Sequence, residues 1–183
     1  GFGDWAITNE IHGAITLQHR DYPSGIVQIE TIPQVYWEPV QRLYSAGLNA
    51  RYRAFEHATR SRMWSFINCS EEYLLFEPDA VSDEKLTRLS AHIERRVVSK
   101  VLELGEPENV LQFYLEELPH GGHRPEKYLC LKAWMNRTLD LDNEFNLAIS
   151  MLRDDQTIQG LSLFYDQLKN SIVARKLING DVA

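Results

Sequence analysis

Arg53 and His57 stand four residues apart in a segment with helical periodicity, so their side chains are expected on one helix face. In that arrangement an imidazole can exchange a proton with a ribose hydroxyl while a guanidinium stabilises charge developing at the phosphate. Arg51 adds a second cation, but at helical pitch it projects about 120° away from His57. The competing explanation is a solvated helix face with an ordinary Glu56/Arg60 pair one turn apart, and it is the one we favour. His120 and His123, in the run Pro119-His120-Gly121-Gly122-His123, offer two imidazole nitrogens that could hold zinc with Cys130 or Glu117. Structural zinc usually takes paired ligands twice, however, and glycine and proline fill interhelical turns for backbone reasons alone. The doublets Glu71-Glu72, Glu116-Glu117 and Asp154-Asp155 place neighbouring carboxylates on different sides of any regular element, so they read as solvated faces. No metal and no cofactor are expected.

The step from Arg51 to His57 has the R-x5-H spacing allowed by the loose Arg/His pattern of HEPN-type ribonucleases. The polar residue usual after that arginine is replaced by Tyr52, and the spacing covers too little of the chain to establish a family. The phosphate-cradling GxGxxG and Walker A loops, the GxSxG elbow, the HExxH zinc motif and the kinase signatures are all missing. A non-catalytic role is therefore expected ahead of an enzymatic one.

Positioning these residues falls to the segment Tyr36 to Ile67, read as one helix over 37–67. At about 100° per residue, Trp37, Tyr44, Leu48, Tyr52, Phe55, Thr59, Met63 and Phe66 gather on one face. Arg42, Asn49, Arg53 and Arg60 lie opposite and form the expected partner-binding stripe. Tyr, Trp and Arg are the residue types enriched where proteins meet proteins.

The net charge of −7 is concentrated in residues 68–126, whereas residues 36–67 are net positive. An acidic chain with one arginine-bearing stretch argues against duplex DNA, which needs a broad basic surface. RNA is the partner implied by the Arg/His alternative. Cys69 and Cys130 are far apart and outside any CxxC spacing, which suits reduced thiols in a cytoplasmic protein. The longest stretch without Asp, Glu, Lys or Arg, Gln156 to Tyr165, is too short for a membrane span. The opening Gly1-Phe2-Gly3-Asp4 shows no secretory leader.

Around the central helix, alternation over Ile11–His19 and Ile26–Ile32, joined by the turn-forming Asp21–Gly25, predicts a β-hairpin. Two strands are marginal alone, so a third from Tyr73–Phe76, packing on helices, or another chain is required. A helix over 83–104 follows Ser82 as N-cap, with Gly105 beyond its end and Leu86, Leu89, Ile93, Val97, Val101 and Leu104 as its apolar stripe. Further helices are expected near 107–118, 125–139, 143–153 and 156–178, the last burying Ile158, Leu161, Tyr165, Leu168 and Ile172 and ending at Asn179-Gly180. The expected fold is thus α+β and predominantly α, a single domain over 1–183. In it a hairpin region (1–35) packs on a helical region (36–183) of about six helices. The leading functional expectation is a protein-interaction or regulatory module of a soluble assembly, with homo-oligomerisation among its modes. The alternative is an RNA-directed nuclease or anion-binding enzyme using Arg51, Arg53 and His57.

Overall fold

The structure is a computed structural model that describes residues 2–6, 11–50, 67–68, 73–76, 82–120 and 124–180. It is an α+β fold, predominantly α, and divides into two compact units: Gly1–Tyr36 with Ser65–Glu106, and Trp37–Trp64 with Pro107–Ala183.

The first unit is built on the hairpin of β2 (Ile11–Asp21) and β3 (Val27–Trp37). Its turn forms as the residue types require. The Gly25 amide donates to the Tyr22 carbonyl at 2.8 Å, Pro23 follows Tyr22 where a fixed φ is useful, and Gly25 takes φ 82° to return the chain. β1 (Phe2–Ala6) adds antiparallel to β2, from Phe2 opposite Thr16 to Ala6 opposite His12. On the far side of β3, β5 (Tyr73–Phe76) pairs with Val27–Glu30 and β4 (Ile67–Asn68) with Gln34 and Val35, both antiparallel. Of the three ways the hairpin could be supported, a further strand from Tyr73–Phe76 is present, and it makes one sheet with order β1-β2-β3-β4 and β5 also on β3. Ile67 is a strand residue rather than the end of a helix.

Ser82 caps α2 (Asp83–His92) through its hydroxyl, which accepts the Lys85 amide at 3.4 Å, with Asp83 and Glu84 in the first turn. The helix expected over 83–104 is continuous but not uniform: a π-helical stretch, Ile93–Val98, joins α2 to α3 (Ser99–Leu104). The wider π turn shifts which residues face inward. Val101 and Leu104 are buried where α3 meets β2, whereas Leu86, expected in the same stripe, is 51% exposed. Gly105 is right-handed at φ −71°, so it does not end this helix by a left-handed turn.

The second unit contains α1 (Glu38–Gly47), α4 (Pro107–Glu117) with a 3-10 turn at Leu118–His120, α5 (Arg124–Asn136), α6 (Asp142–Met151), α7 (Asp155–Asn170) and α8 (Ile172–Asn179). Two expectations need correction here. The helix expected over 37–67 ends at Gly47, where the Asn49 amide donates to the Ala46 carbonyl at 3.1 Å and the Ala50 amide to Ser45 at 2.9 Å. Together with Asn49 at φ 51°, this is a Schellman close, and asparagine is one of the few residues that enters that conformation readily. The helix expected over 156–178 breaks at Ser171, whose extended backbone ends α7 while its hydroxyl accepts the Ala174 amide at 3.2 Å to begin α8. Ile172, expected in the apolar stripe, is consequently 72% exposed.

The buried face of α1 is also rotated by roughly 70° from the expected one. Trp37, Val40, Leu43 and Gly47 are buried, and Leu48 is exposed. α1 packs on α5, α7 and α8, but α5 is the more enclosed helix: Tyr128, Leu129, Cys130, Leu131 and Ala133 are all at or below 1% exposure, and it meets α1, α4, α6 and α7. α5, with Tyr128 to Leu131 buried in succession, takes the central place that α1 was expected to fill. Among the described residues, no helix is long and apolar enough to cross a membrane.

Candidate functional site

Of the expected partner-binding stripe, two members are described. Arg42 is committed to its own helix: its Nε and Nη2 donate to Glu38 Oε1 at 3.0 and 2.6 Å. Asn49 is exposed at the close of α1. Arg51, Arg53, His57 and Arg60 lie outside the described residues, as does His123. His120 ends the 3-10 turn after α4. Among the described residues, no three of His, Cys, Asp and Glu gather closely enough to hold a metal. Cys130 is buried and its thiol is pushed well up by burial and then by Glu126, which leaves it protonated and inert. Asp154 has a structural role, its Oδ1 accepting the Thr157 amide at 2.7 Å as the N-cap of α7.

The arrangement with the most chemistry lies wholly within the second unit, at the end of the helices where α5 passes to α6 and α7 passes to α8. Residues 137–140, Asp142, Lys169, Arg175, Ile178 and Asn179 line an open cleft of about 680 Å³. Its floor is set by the way α5 ends. Arg137 takes φ 51°, which lets the Thr138 amide reach back to the Ala133 carbonyl at 3.3 Å. The Thr138 hydroxyl then accepts the Asp140 amide at 3.0 Å, and the Arg137 guanidinium lies 5.8 Å from the centroid of the Trp134 ring.

Tyr165 ties this linker to α7. Its hydroxyl accepts the Leu141 amide at 2.8 Å and donates to Asp142 Oδ1 at 2.8 Å. Asp142 Oδ1 also accepts from Lys169 Nζ at 3.0 Å, and Asp142 occupies the first turn of α6, where the helix dipole favours a carboxylate. The Tyr165 ring stacks on Phe145 with centroids 4.7 Å apart and holds Lys169 Nζ 4.9 Å from its own centroid. The Lys169 carbonyl accepts Arg175 Nε and Nη2 at 3.3 and 3.1 Å, so Arg175 secures the last turn of α7 while lining the cleft.

The electrostatics of this cluster hold each group in its resting ionisation. Hydrogen bonds from Lys169 and then Tyr165 keep the Asp142 carboxyl below the usual range. The Asp142 hydrogen bond raises Lys169, and burial followed by the Asp142 hydrogen bond raises Tyr165. Asp142 and Lys169 also line a second depression of about 430 Å³ with Phe145, Asn146, Ser162, Tyr165 and Asp166, so the cluster forms a shared wall.

Reading the sequence put Tyr165 on the apolar stripe of α7, and it is indeed buried. Its hydroxyl role was missed, because its partners Leu141 and Asp142 lie 24 and 23 residues away. Arg137, Lys169 and Arg175 were not singled out; the only local signal was the Asn136-Arg137-Thr138 run beyond the apolar part of α5. Comparison of the chain with protein-family models, curated proteins and solved structures returns no match.

Proposed function

We propose that this chain is a non-catalytic protein-interaction module of a cytoplasmic assembly, and that the cleft between the α5–α6 and α7–α8 connections is its contact surface. The observation that supports this most is the closed hydrogen bonding of the Tyr165–Asp142–Lys169 cluster, in which Asp142 Oδ1 accepts from both the phenol and the ammonium at 2.8 and 3.0 Å. A general acid or base works best with a pKa near the operating pH. Here the carboxyl moves down and the phenol and ammonium move up, each further from neutrality. Such groups hold a surface in shape and keep its charges fixed. The burial of Cys130, with its raised thiol, points the same way.

A photo-crosslinking residue at Asn179, exposed on the cleft rim, tests this against the same residue at Gln159 on the exposed side of α7. In native lysate the Asn179 probe is expected to trap a discrete protein partner, or a second copy of this chain, and the Gln159 probe is not. Equal or absent capture at the two positions would remove the cleft as an interaction surface.

A further inference from the structure

We infer that the cleft receives a carboxylate side chain of a partner protein, clamped between the guanidinium groups of Arg137 and Arg175. This rests on the interaction reading above and names the chemistry that reading leaves open. The cleft wall carries three cations, Arg137, Lys169 and Arg175, and two carboxylates, Asp140 and Asp142. Lys169 and Asp142 satisfy each other at 3.0 Å. That leaves two arginines and one aspartate. Arg137 rests against the Trp134 ring and Arg175 bonds only a backbone carbonyl, so among the described residues neither guanidinium is paired with a carboxylate.

An arginine fork matches planar oxyanions, and stacking on an aromatic ring fixes its plane without using its donors. Arg175 is held similarly, because Nε and Nη2 converge on the Lys169 carbonyl and leave the Nη1 hydrogens for another acceptor. Balance of charge selects the oxyanion. One carboxylate neutralises the net positive lining, whereas a phosphate dianion overshoots it and meets Asp140. Leu139 and Ile178 on the same wall supply apolar surface for the methylene stem of a glutamate.

The backbone supports a functional reading of Arg137. Left-handed φ is rare for residues other than glycine, asparagine and aspartate, yet an arginine is held at φ 51° here. A residue in an unfavoured conformation at a cleft is a reason to look for function at that position.

The test is titration of the full chain, followed through its arginine Nε–H signals by NMR. The probes are a blocked peptide of alternating glutamate and glycine, its glutamine counterpart, and inorganic phosphate. The glutamate peptide is expected to shift the Arg137 and Arg175 signals, with the glutamine peptide silent and phosphate at least several-fold weaker. Arg137→Gln and Arg175→Lys should each weaken glutamate-peptide binding about 10-fold, the order expected for loss of one charge-assisted hydrogen-bonded contact. Arg137→Gly guards against misfolding, because glycine suits the left-handed backbone: binding should weaken by a similar factor with the melting temperature maintained.

Tighter binding of phosphate than of the glutamate peptide would overturn the assignment to carboxylate, as would equal response to the glutamate and glutamine peptides. Unchanged affinity in Arg137→Gly and Arg175→Lys would overturn the clamp. Partner capture at Asn179 without any glutamate-peptide response would sink this inference and leave the interaction reading standing. A glutamate-peptide response without protein capture would remove the interaction reading and, with it, a partner protein as the source of the carboxylate.

Discussion

Two helices of the second unit end in the same backbone geometry with different residues. α1 and α5 each close on a residue at φ 51°, with an amide beyond it reaching back five positions, Ala50 to Ser45 at 2.9 Å and Thr138 to Ala133 at 3.3 Å. At the end of α1 that residue is Asn49, which suits the conformation. At the end of α5 it is Arg137, which does not, and α8 closes at Gly180 with φ 78°, the residue helix ends usually select. Asn49 is exposed, while Arg137 lines a cleft. Local preference is obeyed at the end of α1 and set aside at the end of α5, the end where we propose that a guanidinium is held for binding.

The largest way to separate the two ends is through the helices leading to them. Leu129 is fully enclosed on α5, so Leu129→Ala should destabilise by about 2–5 kcal/mol through lost transfer energy and the cavity left behind. Leu48, at the end of α1, is 47% exposed, and Leu48→Ala should fall within about 0.5 kcal/mol of wild type. Chemical denaturation of both variants checks this. A large loss at Leu48 would restore the aromatic face first expected for α1. If the chain folds as a single domain, the sheet and the helices should lose structure in one transition at a shared midpoint.

Next in size is Gly47, two residues before Asn49. A Cβ there would lie 2.4 Å from ring carbons of Phe164, itself buried on α7. Gly47→Ala should therefore cost about 1–3 kcal/mol by overpacking. Combining it with Phe164→Leu should cost less than the two changes added together, because the smaller side chain makes room. Strict additivity of the pair would show that the ring moves aside freely.

The arginine end has its own polar anchor in Tyr165. Tyr165→Phe leaves the Leu141 amide without its acceptor in a buried setting, at a cost of about 1–3 kcal/mol. It should also change how stability depends on pH. Tyr165 and Lys169 are raised in the folded state, so their contributions are present below the ordinary values of 10.0 and 10.5 and are lost as pH rises through the folded values. Asp142 is lowered from 3.8, so its contribution is present above that value and lost as pH falls through the folded one. Tyr165→Phe should flatten the alkaline limb and, by removing a hydrogen bond to Asp142, shallow the acid limb as well. Asp142→Asn should remove its acid-limb contribution and, because Asp142 helps raise both Lys169 and Tyr165, leave only the part of the phenol's alkaline limb that comes from burial. Unaltered limbs in both variants would mean that the cluster does not couple to folding.

What could be read from the chain follows the range of the interactions involved. The hairpin turn at Asp21–Gly25, the cap at Ser82, the start of α4 at Pro107 and the close at Gly180 are all set by residues adjacent in sequence, and all were legible. The strand at Tyr73–Phe76 was legible because two strands alone could not stand. The stop at Gly47–Asn49 and the break at Ser171 were within reach of the same rules, but a long apolar period ran through both and outweighed them. Central placement of α5 was hidden because burial of Tyr128 to Leu131 in succession leaves little amphipathic period to detect. The cleft was least legible: it joins segments 23 to 27 residues apart, and Arg137 adopts a conformation that its residue type argues against.

The smallest effect is also the sharpest on the comparison of the two ends. An L-residue in the left-handed region costs roughly 1–2 kcal/mol, against which glycine brings about 0.5–1 kcal/mol of extra chain entropy to be lost on folding. With the Trp134 contact subtracted, Arg137→Gly should therefore fall within about 1 kcal/mol of wild type in either direction, while Asn49→Gly should differ from wild type by a few tenths, since asparagine already tolerates that backbone. The guanidinium's contact with the Trp134 ring is worth about 0.5–1 kcal/mol at an exposed site and sets the lower bound of that range. Arg137→Lys separates these terms, because it keeps the left-handed strain and the charge but not the planar fork. If Arg137→Gly proves clearly destabilising and Arg137→Lys does not, the arginine is there to brace the end of α5 through its charge over the indole. If Arg137→Gly melts at or above the wild-type temperature while partner capture at Asn179 is lost, the arginine end holds a binding group at the expense of stability.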